Sequence, residues 1–355
     1  MTDAQGPIDR RAAGEFARTL VGHLSSSMTV TMLELGRRLG LLDALAGTSL
    51  SVEELARVTG CQPRYVTEWL GLMVSAGVLI HDEGHFGLSA EHAAALLGDS
   101  PYNISAMLSM ATATAHSLDD LQRVFVEGGG IGYDQQHLDA DDFIDRLTRN
   151  RYDALLVDSY LAQVPGLTDR LTEGARLLEF GCGKGHAARL IGQAFPASTV
   201  VGLDISDGAI ESAREAVSAQ GLDNVSFEVG SATQPPPGPW DLIAAFDVIH
   251  DLAHPFEALA AAHGALRSGG QLLMIDSGAP PSLAERAQLP WAPMMYGVSI
   301  AHCMTVSLAQ GGEGLGTMWG SEAAIEALAA AGFDPVDAFE LKGDPMDLLY
   351  VASKA

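Results

Sequence analysis

From Ala175 onward, short apolar runs alternate with amphipathic stretches, and this alternation constrains the fold more than any other feature of the 355 residues. The runs ARLLEF (175–180), TVVGLD (199–204), VSFEVG (225–230), DLIAAF (241–246) and QLLMID (271–276) read as strands. Between them, segments such as GHAARLIGQAF and GAIESAREAVSAQ carry apolar residues at helical spacing. Two further strands are expected near Pro335–Leu341 and Asp347–Ala352. Strands apolar along their whole length must be covered on both faces. The expected class is therefore α/β, a doubly wound, largely parallel sheet of seven strands. Such sheets have right-handed crossovers and bind ligands at the carboxyl ends of the strands.

The residues at those strand ends form a series. The first strand runs into Glu179-Phe180-Gly181-Cys182-Gly183-Lys184-Gly185, a GxGxG turn in which glycines let the backbone bend tightly and touch a ligand. The helix that follows favours a negative group at its amino terminus. A nicotinamide-binding GxGxxG turn would place its third glycine where this chain has the bulky His186. Glu179, just before the turn, suits a cationic ligand. Asp204 ends the second strand, where a carboxylate can accept both ribose hydroxyls, and Ile205 follows it. Ser231 and Ala232 follow the third strand, where an adenine would lie. Phe246 and Asp247 end the fourth, beside the amino-acid part of a ligand.

Taken together and in this order, residues 175–355 resemble a class I S-adenosylmethionine-dependent methyltransferase, a Rossmann-like fold. The resemblance implies that the ExGxGxG loop (Glu179, Gly181, Cys182, Gly183), Asp204 with Ile205, Ser231 with Ala232, and Phe246 with Asp247 hold S-adenosylmethionine. Ser231 departs from the pattern, since many members carry an aspartate there.

The amino-terminal part reads differently. Phe16 to Leu45 carries apolar residues at helical spacing on more than one face, as helices in oligomer interfaces do. Residues 1–15 are polar and expected to be irregular. Ser51 and Glu54 form a capping box for a helix over Val52–Val58. A second helix is expected over Arg64–Ala76, followed by a hairpin around Glu83-Gly84. Helix, turn, helix and hairpin make a winged-helix pattern. Its second helix offers Arg64 and almost nothing else that is basic, and the whole chain has a formal net charge of -25. That balance argues against a nucleic-acid partner and favours a domain for dimerisation and for lining a pocket wall. Residues 90–165 read as mostly helical, with the glycine-rich Gly128–Tyr133 as a mobile loop. The resulting division is 1–100 winged-helix-like, 101–165 helical linker or lid, and 166–355 cofactor-binding. Three distant cysteines form no CxxC pair. The start lacks an apolar signal core, and no apolar run reaches ~18 residues, so the default expectation is a cytoplasmic homodimer with no membrane partner.

Candidate chemistry follows the fourth strand. His250 and Asp251 stand at the carboxyl end of the sheet, where a histidine could act as general base or bind a metal. The His-Asp pair resembles that of small-molecule O-methyltransferases, in which the histidine is the base; Leu252 stands where the family usually has tryptophan. Residues 294–320 read as a wall of the substrate pocket, through Met294, Tyr296, Met304, Met318 and Trp319. His302 lies in the same segment, with Cys303 beside it as a possible soft ligand. The pair His250 and His302 resembles the metal site of α-keto acid C-methyltransferases. That resemblance implies an iron or zinc ion holding a 2-keto acid and stabilising its enolate, with Asp251 orienting His250 or taking the proton. Metal-assisted C-methylation is thus the first expectation. Metal-free O-methylation with His250 as base is the second, and a ligand-sensing regulator without catalysis the third.

Overall fold

The computed structural model describes residues 8–137 and 140–355, and the chain divides into two compact units between Thr112 and Ala113. In the first unit, α1 (Arg10–Arg38) starts at Asp9, whose side chain accepts from the N–H groups of Arg11 and Ala12. The expected irregular start therefore ends by Arg10; residues 1–7 lie outside the described residues. Gly40, at φ 68°, separates α1 from α2 (Leu41–Leu45). The unit continues through β1 (Ser49–Leu50), α3 (Val52–Thr59), α4 (Pro63–Ser75), β2 (Ile80–Asp82), β3 (His85–Gly87) and α5 (Ala90–Leu96). The capping box closes at both ends: Ser51 N–H donates to Glu54 (2.9 Å), and Glu54 N–H donates to Ser51 Oγ (3.3 Å). The three strands form an antiparallel wing in the order β1-β3-β2. Leu42, Leu45, Leu55, Leu70 and Met73 form the core of this unit, and Trp69 Nε1 donates to the Met32 carbonyl at 2.8 Å. Phe16, Leu20, Val21, Leu24 and Met28 stay exposed along α1. On α4, Arg64 is ion-paired to Glu68.

α6 (Ala106–His116) spans the division between the units. It is followed by α7 (Leu118–Glu127), α8 (Ala140–Leu155), which runs into a wide π turn over Leu156–Leu161, and α9 (Leu167–Glu173). The sheet begins with β4 (Arg176–Phe180), α10 (His186–Ala194), β5 (Thr199–Asp204), α11 (Asp207–Gln220), β6 (Val225–Val229) and β7 (Trp240–Phe246). Then come α12 (Pro255–Ala265), β8 (Leu266–Ser277), α13 (Leu283–Arg286) and α14 (Ala292–Val298). A second π turn, Ser299–Cys303, leads into α15 (Met304–Ala309), and α16 (Ser321–Ala330), β9 (Val336–Leu341) and β10 (Asp344–Ser353) complete the unit.

The seven strands lie in the order β6-β5-β4-β7-β8-β10-β9. The first five are parallel, and β10 runs antiparallel to both β8 and β9. The reversal follows from chain length. Only Lys342 and Gly343 separate β9 from β10, and so short a link can make a hairpin but not a crossover. Both faces of the sheet are buried. Leu177, Leu242, Leu273 and Leu349 pack on one side with Leu156, Tyr160 and Leu161, while Leu178, Ile243, Leu272 and Tyr350 pack on the other with Leu259, Leu328 and Phe333. Neighbouring residues in each strand thus serve opposite layers, as the unbroken apolar runs require.

The glycine-rich stretch at 128–133 differs from the mobile loop expected of it. Ile131 is buried, and its N–H donates to Thr305 Oγ1 at 2.8 Å. A Cβ on Gly130 would stand 1.9 Å from the Thr305 carbonyl oxygen. Here glycine serves close approach to α15, not mobility. No helix among the described residues is long and apolar enough to cross a membrane.

Candidate active site

A cavity of about 800 Å³ opens at the carboxyl ends of β4, β5, β6 and β7. Glu179, Gly181, Cys182, Gly183, Asp204, Ile205, Ser231, Ala232, Phe246 and Asp247 all line it, so the structure gathers every residue expected at the cofactor. The strand order does this. β4 and β5 are neighbours, so their carboxyl ends place the glycine turn beside Asp204. Asp204 accepts from the Gly183 N–H (2.8 Å) and the Ser206 N–H (2.9 Å), which fixes both the turn and the start of α11. Gly181 has φ 59°, and a Cβ there would meet Val248 at 2.3 Å, so the turn and the loop after β7 can close on each other only through glycine. Asp247 holds φ 60°, an uncommon conformation for a side-chain-bearing residue and one that recurs at ligand sites.

The electrostatics suit a cation. Burial pushes the Glu179 carboxyl up to about 8, helped by the nearby charge of Asp204 and opposed by a hydrogen bond from the Ala188 backbone. Burial also lifts Asp247 to about 6, against the pull of His250 and Arg151. Glu179 Oε2 and the Tyr152 hydroxyl are buried without a hydrogen-bond partner among the described residues, and both residues are on the cavity wall. Buried polar atoms are rarely left unpaired. Both atoms are thus placed to engage a polar group bound in the cavity.

His250 lies in a single helical turn, Ile249–Asp251, just beyond β7. Its Nδ1 is 2.9 Å from Asp276 Oδ1, and its Nε2 is 3.3 Å from Asp251 Oδ1. Asp251 lines the cavity, while His250 lies directly behind it. Asp276, at the end of β8, thus meets Nδ1, while Asp251, expected to orient His250 or take the proton, meets Nε2. Adjacent residues in so tight a turn leave the Asp251 carboxylate facing Nε2, whereas the neighbouring strand reaches Nδ1. Asp276 also accepts from Trp319 Nε1 (2.8 Å) and the Ser277 N–H (2.8 Å). Burial works against the imidazolium, but Asp276 and Asp251 outweigh it and raise His250 well above the ordinary histidine range. Asp276 in turn is held low by His250 and its hydrogen bonds, despite complete burial.

The second histidine occupies a different place. His302 lines the cavity, is lowered by burial, and its Nδ1 is 2.6 Å from Gln136 Oε1. Since that oxygen can only accept, Nδ1 donates and Nε2 carries the lone pair. Among the described residues, the group whose potential ligand atoms fall within 4.8 Å of one another is His250, Asp251 and Cys303, without His302. The π turn at 299–303 accounts for this: it turns Cys303 toward His250 and leaves His302 against Tyr133 and Phe143.

The five residues expected as the substrate wall do not line the cavity. Met318 is buried with Ala279 and Ala292 in a satellite cluster against which Tyr296 packs. Met294 is exposed, Met304 is half-buried, and Trp319 packs on the core and supports Asp276. The Gly316 N–H donates to the His250 carbonyl, which draws the glycine-rich segment under the catalytic turn and away from the opening. Besides the strand-end residues, the cavity is lined by Tyr133, Ile144, Thr148, Leu252 and His302. Tyr133 ends the glycine-rich stretch and Ile144 lies in α8, both within residues 101–165, which the sequence marked as a helical linker or lid.

A methyltransferase-domain family model matches residues 178–272, and an Rv2258c-like winged HTH domain model matches residues 27–97. Nocamycin O-methyltransferase of Saccharothrix syringae is 30% identical over 210 residues, which cover 54% of this chain and 71% of that enzyme. Trans-aconitate 2-methyltransferase of Variovorax paradoxus is 34% identical over 140 residues, 37% of this chain and 50% of the relative, so the chain spans half the length of that protein. Two solved structures share the fold over nearly the whole chain. An O-methyltransferase family protein from Burkholderia thailandensis has a TM-score of 0.73 at 15% identity, covering 96% of this chain and 98% of the other. Human N-acetylserotonin methyltransferase, solved with S-adenosylmethionine, has a TM-score of 0.67 at 19% identity and covers 100% of both. With the acidic glycine turn and the strand-end residues in place around one cavity, the chain belongs to the S-adenosylmethionine-dependent methyltransferases, and it carries an amino-terminal winged-helix domain.

Proposed function

We propose that the enzyme methylates a hydroxyl oxygen of a small molecule, with His250 as the proton acceptor. The observation that carries this reading is the chain Asp276–His250–Asp251, with contacts of 2.9 Å and 3.3 Å on the two ring nitrogens. S-adenosylmethionine, when bound, supplies an electrophilic methyl group on a sulfonium. Glu179, Tyr152 and Asp247 are the groups that would hold its amino-acid end, with Asp204 at the ribose and Ser231 and Ala232 at the adenine. Asp276 accepts from Nδ1–H, and once the ring has given up its second proton, Nε2 can take the hydroxyl proton by way of Asp251, which stands between it and the cavity, as the oxygen becomes nucleophilic. Asp251 stabilises the imidazolium that results. The test is methyl transfer to a panel of hydroxyl compounds. His250→Gln should abolish turnover while S-adenosylhomocysteine still binds; full turnover in that variant sinks the reading.

A second reading rests on His250, Asp251 and Cys303. A histidine, a carboxylate and a thiol around one point make a three-ligand site with room for a fourth, a pattern that suits zinc or iron. Asp276 behind Nδ1 is the usual support for a ligating histidine. An ion there would polarise a keto oxygen and favour C-methylation of a 2-keto acid. Metal analysis of the purified protein, repeated on Cys303→Ser, separates the two readings.

For the first unit we propose association of two copies through α1, whose apolar residues Phe16, Leu20, Val21, Leu24 and Met28 face solvent. Sedimentation of Leu24→Asp tests this; an unchanged mass at all concentrations refutes it.

A further inference from the structure

The cavity wall is strongly unequal in charge. Its acidic residues are Asp134, Asp145, Glu179, Asp204, Asp247 and Asp251, whereas Lys184 is its one lysine and no arginine lines it among the described residues. Lys184 is itself 3.4 Å from Asp142. Asp145 is matched by a two-pronged contact to Arg149, at 2.6 and 2.7 Å. Glu179, Asp204 and Asp247 belong to the cofactor side. They outnumber the single net positive charge that S-adenosylmethionine brings, so the bound cofactor does not reverse the sign of the field.

Asp134 and Asp251 remain for the substrate side. Asp251 Oδ1 faces His250 Nε2 at 3.3 Å and is otherwise buried without a hydrogen-bond partner among the described residues. His302 spends its ring N–H on Gln136 and offers a lone pair. Asp134, Asp251 and His302 accept hydrogen bonds, while Tyr133 and Thr148 add hydroxyls that carry no charge, so a carboxylate or phosphate would meet two acids with no lysine or arginine placed to balance it. Like charges brought together at such a surface cost several kcal/mol, and a cavity with low-dielectric walls focuses the field.

We infer that the substrate is an uncharged or cationic hydroxyl compound that donates hydrogen bonds to Asp251 and His302, and that Asp134 and Asp251 exclude anionic analogues. Both parts of that statement rest on the metal-free O-methylation reading, because an ion held by His250, Asp251 and Cys303 would supply the positive charge that an anion otherwise lacks here.

Catechol, dopamine and 3,4-dihydroxybenzoate test it, because they share a ring and a diol and differ in charge. Binding is measured by calorimetry on the full chain saturated with S-adenosylhomocysteine, and methyl transfer by mass spectrometry. The benzoate should bind at least about tenfold more weakly than the other two, and Asp134→Asn should narrow the gap severalfold. Equal or tighter binding of the benzoate overturns the inference, as does failure of all three to bind. An unchanged gap in Asp134→Asn removes Asp134 from it. Binding in the expected order without methylation of any of the three sinks the O-methylation reading and leaves the charge rule of a metal-free site standing. Methylation of all three with equal efficiency and affinity sinks the charge rule alone.

Discussion

Nδ1 of His250 lies 2.9 Å from Oδ1 of Asp276, although the two are 26 residues apart and sit at the ends of different strands. The contact exists because β7 and β8 pair in parallel, so their carboxyl ends emerge side by side. Asp276 is wholly buried, yet three donors besides His250 Nδ1 converge on its carboxylate: Trp319 Nε1 and the N–H groups of His250 and Ser277. A buried carboxylate so satisfied fixes both the orientation and the tautomer of the ring.

Asp276→Asn should therefore lower the turnover number by about 10²–10⁴-fold, the range over which a positioned general base contributes. Affinity for S-adenosylhomocysteine should stay unchanged, since Asp276 is not on the cofactor wall. Steady-state kinetics with calorimetry read both quantities. A loss smaller than tenfold places the proton acceptor elsewhere.

Cofactor affinity should rise with pH. Glu179 is pushed up to about 8 by burial, so below that pH it carries a proton that a cationic ligand must displace. Affinity for S-adenosylmethionine should fall by up to about tenfold for each unit below 8. It should level off above 8, where the carboxylate is already charged. In Glu179→Gln this dependence should vanish together with part of the affinity. Calorimetry across that range, in buffers of different ionisation enthalpy, counts the proton released; a flat profile in the parent enzyme refutes the role.

Asp204→Ala should weaken cofactor binding by roughly 1.5–3 kcal/mol, the contribution of hydrogen bonds to a charged group. The loss has two origins, because Asp204 also accepts from the Gly183 and Ser206 N–H groups. Asp204→Asn, which keeps one acceptor oxygen, should recover part of it. Equal affinity in the parent and the alanine variant would move the ribose away from β5.

Gly130→Ala should destabilise the second unit by about 1–3 kcal/mol, the cost of overpacking. The new Cβ would stand 1.9 Å from a backbone oxygen that cannot retreat without moving α15. Denaturant melts measure it. Gly129→Ala serves as the comparison: it has open space around it but a φ of 76°, so its cost is conformational only.

The cofactor side was legible in the sequence because each of its residues belongs to a local pattern. Glycines follow an apolar strand at 181 and 183, and an acid ends the next strand at 204. Parallel strand order then brings every such end to one edge, so a linear series becomes one wall. Asp276 could have been found by the same rule, since it too ends a strand. Asp251, the acid next to His250 in the chain, is the nearer candidate by sequence alone.

The substrate side was not legible in that way. Met294, Tyr296, Met304, Met318 and Trp319 have the composition of a pocket wall, but apolar composition cannot distinguish a wall from a small core. Their places were settled by contacts over longer sequence distances, such as that of Trp319 with Asp276. Tyr133 and Gln136 reach His302 across more than 160 residues, as the 166-residue separation of Gln136 and His302 shows. By itself, the sequence determined the strand–helix alternation, the capping boxes and the acidic glycine turn, because period, caps and turn chemistry act over a few neighbouring residues. Only the tertiary structure decided which ring nitrogen Asp276 engages, which cysteine joins His250 and which acids line the cavity. Those relationships depend on how distant elements pack, and no local pattern encodes that.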